Sequence, residues 1–268
     1  MSSLLLVLLC AMPVGVVVGL ISGLLGIGGG LILVPVFYIL LVFVGVPPEM
    51  LMPMALGSSL AAIIVTSCAS CLAHHRLGNV PWSIIPMLLA GLATGSLIAG
   101  YLAHHIPVWL LEAGFACFAA VMSMRMWRQR KQMQVNETKV MTPWSTLSAT
   151  TAIGAFSALL GIAGGTLLVP YLSERGQQMT RAIGASSCCG IIVAAAGALG
   201  YVLSGWRVTG LPDWSLGYVY LPLVVGVVVT ALFSAPIGAK LASRWPTQRL
   251  KRIVAVLLLL VALKLILF

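Results

Sequence analysis

The sequence predicts an all-α polytopic membrane protein made of two inverted structural repeats, each a glycine-broken helical hairpin followed by three transmembrane helices. Three observations carry that expectation. The 268 residues are 60% hydrophobic and only 7% charged, with a mean hydropathy of +1.10, a balance that no water-soluble domain tolerates on its surface. The apolar residues come in runs near the ~20 that a bilayer requires. One glycine-rich stretch also occurs twice: Gly19-Leu-Ile-Ser-Gly-Leu-Leu-Gly-Ile-Gly-Gly-Gly-Leu-Ile-Leu-Val-Pro35 returns 135 residues later as Gly154-Ala-Phe-Ser-Ala-Leu-Leu-Gly-Ile-Ala-Gly-Gly-Thr-Leu-Leu-Val-Pro170.

The first run, Leu4 to Leu25, has no basic residues before it, and Leu9 is too large to precede a lipoprotein cleavage site at Cys10. It is read as a retained helix. After the break the run Leu31 to Val46 is marginal for a crossing. Met50 to Ala73, Trp82 to Ala103 and Val108 to Trp127 follow as full crossings. In the second copy the run after the break, Thr166 to Leu172, reaches only ~10 Å, so this hairpin is expected to be re-entrant. Ala182 to Leu203, Leu216 to Ala239 and Leu250 to Phe268 complete the set, giving about 8–10 membrane segments. The units are residues 1–124, a basic linker at 125–143, and residues 144–268.

Sidedness follows from the short loops. The linker holds Arg125, Arg128, Arg130, Lys131 and Lys139 and belongs in the cytoplasm. With hairpins counted as net zero, Arg76, Arg175, Arg181, Lys240, Arg244, Arg249, Lys251 and Arg252 also fall inside. That places 13 of the 15 Lys and Arg on one face, a positive-inside bias. The net charge of +10 is therefore a topology signal and not a nucleic-acid surface. An odd number of crossings per half inverts the halves and puts both termini outside. Further matches support the duplication: Ala55-Leu-Gly57-Ser-Ser59 answers Ala182-Ile-Gly184-Ala-Ser186, and Gly95 to Pro107 aligns on Ser234 to Pro246.

Free backbone groups cost several kcal/mol each in hydrocarbon, so a break at membrane depth persists only where protein or a water-filled cavity covers it. Transporters place substrate sites at such breaks. Gly26-Ile-Gly28-Gly29-Gly30 lacks the third glycine and preceding strand of a dinucleotide fingerprint, and no P-loop Gly-Lys-Ser/Thr is present. A helix starting after the break offers free N–H groups and a positive dipole end to an oxyanion. Gly28, Gly29, Gly30, Gly164 and Gly165 are the resulting candidates, whereas Gly15, Gly19 and Gly23, four residues apart, read as helix-packing positions.

Ser58, Ser59, Ser186 and Ser187 lie near corresponding helix beginnings and either donate to an anion or bond back to their own helices. Thr166 stands at a half-helix start as a candidate ligand or a simple N-cap. His74-His75-Arg76 suits an interfacial helix end. Acidic groups are nearly absent from the spans, with Glu49 in an outer loop and Glu112 near an outer end, so a buried carboxylate relay is not supported. The six cysteines, Cys10, Cys68, Cys71, Cys117, Cys188 and Cys189, form no disulfide framework and read as small apolar fillers.

The duplicated Gly-x-Gly-Gly-Gly-x-x-x-Val-Pro pattern, paired with Ala-x-Gly-x-Ser and with His75-Arg76-Leu-Gly78-Asn79-Val80-Pro-Trp82, resembles the sulfite exporter TauE/SafE family of bacterial inner-membrane permeases. The resemblance covers essentially the whole chain. It implies transport of a sulfur-containing oxyanion, sulfite or an organosulfonate such as sulfoacetate. The family glycine motif falls on Gly26, Gly28, Gly29, Gly30 and Pro35, and on Gly161, Gly164, Gly165 and Pro170. The small-residue motif falls on Gly57, Ser58 and Ser59, and on Gly184 and Ser186. Ala163 replaces a glycine of the second break, so the two half-sites are not equivalent.

The expected function is thus a secondary transporter of a small anion in the lipid bilayer, coupled to an ion such as H+ or Na+ or to the substrate gradient, with no cofactor and no nucleic-acid partner. A non-transporting membrane scaffold or accessory subunit is the alternative. An enzyme would need a Ser/His, paired-carboxylate or metal constellation within the spans, and the sequence holds none.

Overall fold

The computed structural model describes residues 2–25, 29–128, 142–241 and 256. Gly26 and Gly28, most of the linker 125–143 and nearly all of the run Leu250 to Phe268 lie outside these residues. Within them the chain forms α1 (Ser2–Leu25), α2 (Gly30–Val44), α3 (Pro48–Arg76), α4 (Ile85–Leu102), α5 (Val108–Arg128), α6 (Pro143–Leu159), α7 (Gly165–Ser173), α8 (Met179–Gly205) and α9 (Leu221–Leu241). Among the described residues four stretches are helical, long and apolar enough to cross a membrane: Pro48–Arg76, Ile85–His105, Val108–Arg125 and Met179–Gly205. The chain is a multi-pass membrane protein.

Local sequence sets the helix ends. Proline occupies the first turn of α3, α4 and α6, where its missing N–H is no loss. Gly45 ends α2 in the left-handed region at φ 84°, with Gly45 N–H bonded to Val42 O at 3.0 Å and Val46 N–H to Leu41 O at 3.2 Å, the paired bonds of a Schellman stop. The 15 residues of α2 reach ~22 Å and the nine of α7 ~13 Å, so neither crosses ~30 Å of hydrocarbon.

The partly described halves pack through each other. α3 and α8 cross at the centre, α1 lies along α9, α4 along α6, α2 against α3, and α7 against α8. Small residues make these approaches possible. A Cβ on Gly15 or Gly19 of α1 would sit 2.1 Å from Thr230 Oγ1 or Ser234 Oγ of α9, which bears out the packing expectation at these two positions. Between α4 and α6, a Cβ on Gly95 would lie 2.0 Å from Thr151 O, and one on Gly154 2.4 Å from Leu92 O.

One element departs from the all-α expectation. Ser215–Leu216 (β1) and Val219–Tyr220 (β2) form a two-stranded antiparallel hairpin, pairing Ser215 with Tyr220 and Leu216 with Val219. The crossing expected from Leu216 therefore begins at Leu221. The cause is tertiary: Gly217 turns at φ 53°, Tyr218 N–H bonds Tyr201 O at 3.3 Å, and Tyr218, Val219 and Tyr220 are buried against α3 and α8.

Gly95→Leu is expected to lower the melting temperature in detergent sharply, because backbone occupies the space its side chain needs. Gly114→Ala, with nothing within 4 Å of the added carbon, is expected to be neutral or to stabilise by up to ~1 kcal/mol through helix propensity. Thermal unfolding of the two variants checks both.

Candidate functional site

The two half-helices begin identically. Gly29 holds φ 75°, ψ −10° before α2, and Gly164 holds φ 75°, ψ −11° before α7, a left-handed turn that glycine adopts without steric cost. Gly29 O accepts the amides of Ile32 and Leu33 at 3.0 and 3.1 Å, and Gly164 O those of Leu167 and Leu168 at 3.0 and 2.8 Å. The amides of Gly30 and Leu31, and of Gly165 and Thr166, thus precede the first intrahelical bonds and stand at the positive ends of the two helix dipoles.

The start of α2 is brought onto the second break. A Cβ on Gly30 would meet Gly161 O at 2.7 Å and Ile162 Cα at 2.9 Å, so the start of α2 lies directly on the second break. Gly161 itself sits against Val34 of α2 and Leu56 of α3, and Gly190 of α8 against Ala163 O. Of the sequence candidates, Gly30 thus touches the second break, and Gly164 faces Ser157 and Val193. Gly28 lies outside the described residues.

The candidate hydroxyls divide into two groups. Ser59 Oγ donates to Gly161 O at 2.9 Å, tying α3 to the second break. Ser58 Oγ accepts the Tyr220 amide at 2.9 Å and so anchors the hairpin. Ser187 Oγ donates to Ile183 O at 3.0 Å and accepts from Ser70 Oγ at 3.0 Å. Thr166 Oγ1 and Ser186 Oγ, by contrast, are buried without a hydrogen-bond partner among the described residues. Ser157 Oγ joins them, 3.3 Å from where a Cβ on Gly164 would stand. Ser157, Thr166 and Ser186 are 0%, 8% and 2% exposed. Buried polar groups are normally paired, and each exception asks for a reason. Ser157 went unnoticed as a candidate, yet the duplication marks it: Ser22 holds the same place in the first copy.

The small-residue motif has a mechanical role. Gly57 admits Tyr218 O, which would stand 3.0 Å from an added Cβ, and Gly184 admits Asn79 O, which would stand 2.4 Å from one. Each glycine thus seats a loop that arrives from the other half. At the loop that Asn79 belongs to, Trp82 Nε1 donates to His75 Nδ1 at 3.3 Å, and beyond α7 the Arg175 guanidinium stacks 3.8 Å over the Tyr171 ring. A groove of about 270 Å³ between α4 and α6, lined by Gly95, Ile98, Ala99, Thr151 and Leu159 among others, is apolar and offers an anion little to bind. Among the described residues no group of three His, Cys, Asp or Glu could hold a metal ion.

The cysteine reading needs correction. Cys71 of α3 and Cys188 of α8 form a disulfide, whereas both were expected to be apolar fillers. Sequence spacing is blind to this pairing, because the two residues are 117 apart and meet only where the central helices cross. Cys10, Cys68, Cys117 and Cys189 are free. Alkylation of the denatured protein is expected to label these four thiols without reductant and all six cysteines after reduction, read as a mass shift. Ser59→Ala, which leaves Gly161 O without its partner, is expected to cost ~1–3 kcal/mol of stability, measured by thermal or denaturant unfolding.

Comparisons with known proteins agree with this architecture. The family model described as sulfite exporter TauE/SafE matches residues 11–265. A probable membrane transporter protein of Haemophilus influenzae is 37% identical over 97% of this chain and 98% of its own length. Probable membrane transporter proteins of Methanocaldococcus jannaschii and Bacillus subtilis are 23% and 26% identical, over 89% and 87% of this chain and 87% and 89% of their own. No solved structure matches the chain. With the family model covering nearly its whole length, the chain belongs to the sulfite exporter TauE/SafE family and is a membrane transporter, not an enzyme.

Proposed function

We propose that the protein is a secondary transporter of a small sulfur-containing oxyanion, such as sulfite or an organosulfonate of the sulfoacetate type, bound where the two glycine breaks meet. One observation carries this reading. Of six buried hydroxyls with no partner among the described residues, three are on Ser157, Thr166 and Ser186, and Ser157 and Thr166 flank the glycine-capped start of α7. A bound oxyanion supplies the missing acceptor. The amides at Gly30 and Leu31 and at Gly165 and Thr166 complete the cradle. Ser58, Ser59 and Ser187, already engaged, support the cradle's walls. Gly28 enters through its place in the repeat.

The halves are read as inverted repeats, with the linker cytoplasmic and both termini periplasmic in a bacterial inner membrane. The exchange of partners supports this: α1 of the first half pairs with α9 of the second, as α6 of the second pairs with α4 of the first. Matching helix starts at Pro47 and Gln178, both at φ −56°, ψ 143°, point the same way. Relative movement of the halves around the shared site, driven by an H+, Na+ or substrate gradient, then gives alternating access.

Ser157→Ala, Thr166→Val and Ser186→Ala separate ligand contact from structure. Deleting a buried hydroxyl that has no partner leaves stability unchanged or raised, whereas a lost hydrogen bond to an anion costs ~1.5–3 kcal/mol. Proteoliposome uptake of sulfite or sulfoacetate is therefore expected to show KM raised about 10- to 100-fold in correctly inserted variants. Unchanged KM in all three refutes the site. No uptake and no ligand-induced stabilisation across sulfite, thiosulfate, sulfate, sulfoacetate and taurine would favour the scaffold alternative.

A further inference from the structure

The two central helices are joined by a covalent bond in a seam otherwise made of small residues. A Cβ on Gly190 of α8 would stand 3.1 Å from Ser67 Oγ of α3, Ser70 Oγ donates to Ser187 Oγ at 3.0 Å, and Cys71 is bonded to Cys188. A hydroxyl pair and a glycine contact can part and re-form as packed helices slide. A disulfide cannot, because it keeps its two Cα atoms, here 4.9 Å apart, within about 7 Å. Cys188 is buried and Cys71 half-buried. Cys71 also stands only ~8 Å by helix rise from Arg76, the last residue of α3, so the bond lies near the polar end of the helix and is open to attack on its Cys71 side. In the orientation proposed above that end faces the cytoplasm, where disulfides are characteristically transient and redox-sensing.

We infer that the Cys71–Cys188 disulfide is a redox lock on the movement between the halves: closed, it pins α3 to α8, and opened by a thiol reductant it frees them. This rests on the alternating access proposed above and adds its regulation. Opening consumes two thiols. The thiolate of the first attacks Cys71 Sγ, the more exposed sulfur, and forms a mixed disulfide, while Cys188 leaves and takes up a proton. The second thiol displaces Cys71 from that mixed disulfide and departs joined to the first, so two electrons and two protons pass to the protein. Closing is the reverse, with a small disulfide as oxidant. Cys189 reports the state of the lock from within, being free, 0% exposed and adjacent to Cys188, so its thiol reacts only when the packing around α8 opens.

The test compares the full chain in proteoliposomes oxidised, reduced with dithiothreitol that is then removed under nitrogen, and reoxidised with oxidised glutathione. Uptake is read with sulfoacetate, because sulfite itself cleaves disulfides, and native-state alkylation of Cys189 is read by peptide mass spectrometry against the exposed Cys117. Reduction is expected to raise both uptake and Cys189 labelling at least about tenfold, with Cys117 unchanged and both effects reversed by reoxidation. Cys188→Ala is expected to behave as the reduced protein and to ignore dithiothreitol. Uptake that reduction leaves unchanged or slows overturns the lock, even with faster Cys189 labelling, since the bond then only stabilises the fold. Absence of uptake in every state, with no thermal stabilisation by sulfoacetate, overturns the proposed substrate instead. In that case Cys189 labelling decides the lock alone: a reversible rise supports it and no change overturns it.

Discussion

Everything in this structure follows from one constraint: backbone that leaves a helix at membrane depth must be covered. Here the second break is covered by α2, α3 and α8. Gly30 lies on the Gly161 carbonyl and on Ile162, Ser59 donates to that same carbonyl, and Gly190 of α8 closes over Ala163 O. Each contact requires a small residue or a hydroxyl in a defined place, because backbone on one side meets backbone on the other. A side chain at Gly30 would part the breaks and expose peptide groups to lipid, where each costs several kcal/mol.

The same closeness concentrates polarity. Gly29 and Gly164 open α2 and α7 with the same left-handed turn, so each start presents two first-turn amides at the positive end of a helix dipole. The halves are held by the long contacts of α1 with α9 and α4 with α6, which the small residues at Gly15, Gly19, Gly91, Gly95 and Gly154 make possible. Under the proposed function, stability and binding are linked through these backbone groups, as expected when a ligand prefers the folded arrangement.

The loops from each half close over the other. Asn79 rests on Gly184 and Tyr218 on Gly57, and the Tyr220 amide is held by Ser58. The disulfide between Cys71 and Cys188 joins the two central helices near one of these closures, since Gly184 stands one turn before Cys188 on α8. Contact between residues 1–124 and 144–268 therefore includes the packing of α3 on α8 and two loop seats.

Sequence alone determined the membrane class and showed the internal repeat and its glycine-rich stretches, because these depend on local composition and on a repeat visible by inspection. The Gly29 and Gly164 turns were legible for the same reason: only glycine takes φ 75° freely. Tertiary structure decided what depends on contacts between distant residues. Ser59 and Ser186 look alike in the repeat, yet only Ser59 has a described partner, the carbonyl 102 positions away. Leu216 reads as the start of a crossing until Tyr201 and Ser58 hold the following residues in a hairpin. Cys71 finds Cys188 only through the helix crossing. Periodicity reports what one element needs, whereas a hydrogen bond or disulfide between halves is set by where the folded chain returns to itself.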